Sequence, residues 1–140
     1  MPDFFISYPM DEDLQWADRI AVLLEELGYE AHYAPRHFSG RWPDEVERLL
    51  AESTWILAIV SPEYLRSTHC MDEWDAARQR EADEGRRLLL VAKARQCRLP
   101  LRDSGRLCAD LDGVADEDEQ RQRLLHYLGW HLPPRIGLPP

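Results

Sequence analysis

The sequence predicts an α/β domain built on a mostly parallel sheet with helices on both faces. Three observations carry that prediction. Trp55-Ile56-Leu57-Ala58-Ile59-Val60 and Leu88-Leu89-Leu90-Val91-Ala92 are unbroken apolar runs rich in branched residues, the pattern of strands buried on both faces. Strand-like runs alternate with amphipathic stretches from one end of the chain to the other, which calls for right-handed crossovers. The length, 140 residues, suits a single core.

Each element follows in order. Phe4-Phe5-Ile6-Ser7-Tyr8 reads as a first strand. Asp11, Glu12 and Asp13 then offer an N-cap and first-turn acids for a helix. Along it Leu14, Ala17, Ile20, Ala21, Leu24 and Leu27 recur at three- and four-residue spacing, one apolar stripe, and Gly28 is the expected stop. Glu30–Ala34 is a short second strand. Pro35–Pro43 holds two prolines, a serine and a glycine and reads as a loop. Pro43 suits the first turn of a helix running to about Glu52, with Val46, Leu49 and Leu50 inward. After the buried strand at 55–60, Ser61-Pro62-Glu63 opens a helical stretch to about Ala82, with a break near Ser67. The second buried run at 88–92 precedes a short last strand, Cys108–Leu111, and a last helix, Glu117–Trp130. Residues 1–132 form the domain. The tail 133–140 has four prolines in eight residues, an extended linker expected to lead to a further domain.

Composition narrows the function. The formal net charge is −9, so nucleic acid and anionic membrane are poor partners. No apolar run approaches the ~20 residues of a membrane span, and no signal peptide is visible, so a cytoplasmic protein is expected. Cys70, Cys97 and Cys108 are odd in number and far apart. They read as reduced thiols with no zinc spacing, and no metal is expected. No glycine-rich loop follows the first strand, which argues against Rossmann oxidoreductases and P-loop nucleotidases. In folds of this kind ligands sit beyond the carboxyl ends of the strands, here on the loops after Tyr8, Ala34 and Val60.

Specific residues then carry a resemblance. The opening Phe4-Phe5-Ile6-Ser7-Tyr8, the acids Asp11-Glu12-Asp13, and above all Ser61-Pro62-Glu63-Tyr64-Leu65-Arg66-Ser67-Thr68-His69-Cys70-Met71-Asp72-Glu73-Trp74 resemble Toll/interleukin-receptor (TIR) domains of bacterial type. The last stretch is similar to that family's Ser-Pro-x-Tyr-Leu, Ser-x-Trp-Cys and Glu-Trp pattern, and the likeness runs from about Asp3 to Trp130. The resemblance implies a flavodoxin-like, doubly wound fold with a five-stranded parallel sheet. It also implies one of two activities. Some members cleave NAD at the nicotinamide–ribose bond, with no cofactor beyond NAD as substrate, and others are adaptors that associate with further TIR domains. In the cleaving members the glutamate of the motif is catalytic, and it falls on Glu73.

The chemistry suits one carboxylate. Nicotinamide leaves as a neutral group, so no general acid is required, while the oxocarbenium-like transition state needs a nearby negative charge. Other candidates each carry two readings. His69 stands where the motif has tryptophan, either lining the substrate pocket or lying on the surface at the start of a helix. In the Pro35–Pro43 loop, which the family uses for gating and self-association, Arg36 and Arg41 could meet a pyrophosphate and Trp42 could stack on a ring. Alternatively the arginines are solvated and Trp42 packs on the following helix. Tyr8 either stacks on a base or packs on a neighbouring loop. Ser67 either touches ligand or caps the helix holding Cys70–Glu73. The expected partners are therefore NAD and other copies of the domain. The rivals to NAD cleavage are a non-catalytic TIR adaptor and a nucleotide-binding sensor without turnover.

Overall fold

The computed structural model describes residues 2–9, 13–33 and 42–133. Five strands, β1 (Phe4–Ser7), β2 (Ala31–Tyr33), β3 (Trp55–Val60), β4 (Leu89–Lys93) and β5 (Ala109–Asp110), form one sheet in the order β2-β1-β3-β4-β5. Every pairing is parallel. The helices are α1 (Leu14–Glu26), α2 (Trp42–Glu52), α3 (Pro62–Arg66), α4 (Thr68–Glu84) and α5 (Glu117–His131), with a 3₁₀ turn at Leu101–Asp103. The fold is the flavodoxin-like, doubly wound α/β class expected. Among the described residues no helix is long and apolar enough to cross a membrane.

Alternation along the buried strands creates two cores, one per sheet face. Phe4, Ile6, Leu57, Ile59, Leu90 and Ala92 meet α1 and α5 residues such as Ile20, Leu24, Leu124 and Leu128. Phe5, Ile56, Ala58, Val60, Leu89 and Val91 meet α2 and α4 through Val46, Leu49, Cys70, Trp74 and Ala77. The predicted strands at 55–60 and 88–92 are the most deeply buried elements, with Ile56–Val60 and Leu88–Ala92 fully covered. β2 begins at Ala31 rather than at Glu30, with three half-buried residues, and Ala34 lies outside the described residues.

Helix ends follow local chemistry, with one exception. Ser61 caps α3 by accepting the Tyr64 N–H at 3.1 Å, and Gly85 closes α4 at φ 66°, a conformation costly for residues with a Cβ. Asp13 departs from expectation. It holds the N-cap position of α1 but its side chain makes no cap bond. Instead the buried carboxylate takes Arg95 at 3.1 Å and Ser61 at 3.4 Å. Arg95 also reaches Glu63 at 2.7 Å. One guanidinium therefore ties together the segments after β1, β3 and β4 at the carboxyl edge of the sheet. Burial pushes the Asp13 carboxyl above its ordinary value despite Arg95, while Arg95 holds Glu63 down to about 2. Asp11 and Glu12 lie outside the described residues.

Candidate active site

The site begins with a break in a helix. Ser67 ends α3 in an extended conformation and starts α4, where its Oγ accepts the Cys70 N–H at 3.2 Å. The capping reading of Ser67 is thus seen directly. From that start α4 buries Cys70, Trp74 and Ala77 at i, i+4 and i+7, and Glu73 lies on the flank of this stripe. The register of α4 is held at its middle by Asp103, which accepts Trp74 Nε1–H at 2.9 Å, Arg78 Nε–H at 2.8 Å and Arg106 Nη2–H at 3.2 Å. Burial alone would raise the Asp103 carboxyl; the Trp74 and Arg106 donors overcome it and hold it below the ordinary range.

Glu73 meets the first strand. Ser7, 1% exposed at the carboxyl end of β1, donates its hydroxyl to Glu73 Oε1 at 2.6 Å. Ser7 has one proton to give, so with Glu73 ionised the 2.8 Å contact between Ser7 Oγ and Tyr64 Oη has the phenol as donor. Tyr64 is fully buried, and burial holds its phenol well above the usual value, so the O–H is retained. A directed chain results, Tyr64 O–H to Ser7 O–H to the Glu73 carboxylate, in which each bond polarises the next. Burial pushes the Glu73 carboxyl up to about 7; Ser7 opposes the shift and the neighbouring Asp72 charge adds to it. A carboxyl poised there is half ionised near neutrality and answers strongly to any charge placed beside it.

The other candidates fall in different places. Tyr8 points to the opposite side of the sheet from Ser7, because neighbours on a strand alternate. Its ring is 4% exposed in the α1/α5 core and meets Tyr33 edge-on at 6.0 Å. His69 is exposed in the first turn of α4, four residues before Glu73 and so on the same helix face. Arg36 and Arg41 lie outside the described residues. Trp42 is the first residue of α2, and its side chain is likewise outside the description. Cys70 is buried and its thiol is pushed up to about 12 by that burial, which leaves no thiolate. Trp74 and Phe5 are core residues, 1% and 0% exposed.

Ser7 and Tyr64 are the two residues whose roles sequence reasoning missed. Alternation could have pointed to Ser7, a polar residue at a strand's carboxyl end on the face opposite Ile6. Tyr64 carries no local signal, since its hydroxyl is explained only by a partner 57 positions away.

Comparison with known proteins adds the family context. The model of a family described as "TIR domain" matches residues 4–125. The chain is similar in structure to the TIR domain of the Toll-related receptor TRR-2 from the lower metazoan Hydra magnipapillata. That match has a TM-score of 0.66 at 16% identity and covers 93% of this chain and 97% of the other. It is also similar to the TIR domains in the structure of the activated Roq1 resistosome directly recognizing the pathogen effector XopQ. There the TM-score is 0.55 at 15% identity, with 92% of this chain and 84% of the other covered. At such identities the likeness speaks to the fold. Among curated protein sequences there is no match.

Proposed function

This chain belongs to the TIR domain family, and on that premise we propose that it cleaves NAD at the nicotinamide–ribose bond, with Glu73 as the catalytic carboxylate. The observation that supports this reading most is the Ser7–Glu73 bond of 2.6 Å, backed by Tyr64. It aims a partly desolvated carboxylate at the carboxyl edge of the sheet, where ligands of doubly wound folds sit. The pyridinium of NAD is cationic. Bound beside Glu73 it lowers the carboxyl's pKa and draws out the ionised form. As the glycosidic bond lengthens, positive charge moves onto the ribose, and a fixed carboxylate in a site of reduced polarity stabilises it more than water does. Nicotinamide departs neutral, which asks nothing of a general acid. Ser7 and Tyr64 are positioning residues in this scheme: they hold Glu73 through hydrogen bonds and touch no substrate. The protein would act in bacterial immunity or signalling, in the cytoplasm, and self-association would switch it on.

A second reading, an adaptor that assembles with other TIR domains without turnover, is favoured by one observation. His69, where the family motif has tryptophan, is an exposed side chain on the same helix face as Glu73, so that part of the site lacks the larger aromatic wall.

The discriminating experiment measures nicotinamide release from NAD by the protein at high concentration or clustered on a surface, alongside Glu73→Ala. Release by the parent and none by the variant supports catalysis. Intact NAD under crowding, with assembly detected, leaves the adaptor.

A further inference from the structure

The segment between β4 and β5 carries chemistry that the Glu73 site does not use. With the end of β4 it borders a cleft of about 420 Å³ whose lining, among the described residues, includes Lys93, Arg98 and Arg106 and no carboxylate. In a chain with a net charge of −9 such a lining runs against the overall field. Two of these cations, Lys93 and Arg98, are not absorbed by ion pairs. Among the described residues neither Lys93 nor Arg98 has a carboxylate within ion-pair distance. Asp110, the register partner of Lys93, accepts the Asp112 N–H at 3.1 Å.

Arg106 supplies a second, independent observation. Its side chain is 9% exposed, and its Nη2 reaches Glu81 at 2.7 Å and Asp103 at 3.2 Å. Yet its Nε–H is buried with no hydrogen-bond partner among the described residues. A buried N–H in that state is costly, and relieving it needs a shift of the side chain that brings Nε to an acceptor. The lining also includes apolar side chains. Leu99 is half-buried and Leu101 is 90% exposed, a large apolar side chain left facing water.

We propose that this cleft is a second binding site, taking a small phosphorylated ligand of mononucleotide size. The phosphate sits between Lys93 and Arg98, with Arg106 behind them, and a flat apolar ring lies on Leu99 and Leu101. The volume is near the lower end of small-molecule sites, about 300–1,000 Å³, which suits one phosphorylated nucleoside better than a dinucleotide. The site is separate from Glu73. β3 lies between β1 and β4 in the sheet, and Glu73 is not among the lining residues.

The test is calorimetric titration of the full chain with adenosine monophosphate and with adenosine, for the parent, the double variant K93M/R98Q, and Glu73→Ala. The expected result is saturable binding of adenosine monophosphate, with adenosine at least about tenfold weaker. The double variant should lose at least about tenfold in affinity while its thermal transition stays unchanged, because Lys93 and Arg98 hold no ion pair. Binding by Glu73→Ala should match the parent. Four results would each overturn the proposal: no saturable binding, equal binding of adenosine, an unaffected double variant, or loss of binding in Glu73→Ala.

Discussion

Replacing Ser7 by alanine isolates the contact on which the proposed chemistry turns. Ser7 donates at 2.6 Å to Glu73 Oε1, and this bond lowers a carboxyl that burial has pushed up to about 7. A hydrogen bond to a charged group contributes about 1.5–3 kcal/mol. At 1.36 kcal/mol per unit, its loss moves the Glu73 carboxyl up by about 1–2 units. The fraction ionised at pH 7 then falls from about a half to about 1–10%. Nicotinamide release by clustered protein should drop about 5- to 50-fold at pH 7 and recover as the solution is brought toward pH 9. The assay is the full pH–rate profile, read for the position of its acidic limb. Tyr64→Phe is the control: Ser7 keeps its proton for Glu73, so the limb should stay within about half a unit of the parent. Ser7→Ala also strands the buried Tyr64 hydroxyl, costing about 1–3 kcal/mol of stability, so every profile is taken below the unfolding temperature. An acidic limb that stays near pH 7 in Ser7→Ala refutes the reasoning, whatever the drop in maximal rate.

Three further outcomes follow from the same contacts. Because the folded Glu73 carboxyl titrates near 7 rather than at its ordinary 4.5, the native state keeps a proton that the unfolded chain gives up. Stability therefore falls as pH rises through that window. Glu73→Gln should match the parent at pH 4 and melt higher at pH 8, by at most about 3 kcal/mol; equal melting temperatures at pH 8 would remove the burial argument. Asp103→Ala leaves Trp74 Nε1–H and the Arg78 guanidinium without their acceptor, while Arg106 keeps Glu81, and should cost about 3–5 kcal/mol in a urea titration. Ser67→Ala, which removes the cap on Cys70 N–H, should cost only about 1 kcal/mol in the same titration.

The architecture could be read in the sequence wherever burial leaves a period. β3 and β4 are buried on both faces and read as unbroken apolar runs, and the α1 stripe is set by a helix lying on one face. The site was harder. Glu73 is recognisable through a motif of neighbours, since Ser67, Cys70 and Trp74 are local on one helix. Ser7 and Tyr64 gain their roles from contacts 66 and 57 positions distant, and no local period encodes such a meeting. Asp13 shows the same limit. Its position before α1 suggests a cap, yet Arg95, 82 positions later, takes the carboxylate. Tyr8 shows how one step along a strand matters: Ser7 faces α4 and Tyr8 faces away.

The interruption at Ser67 has a geometric consequence. Tyr64 and Glu73 stand nine positions apart, and in an unbroken α-helix nine steps of about 100° turn through about 900°, leaving two side chains on opposite sides of the rod. They could not then both address the same hydroxyl. The single extended residue between α3 and α4 resets the rotation, so that a phenol and a carboxylate from one stretch of chain converge on Ser7. A substitution or insertion that fused the two helices would keep every one of these groups and still pull them apart.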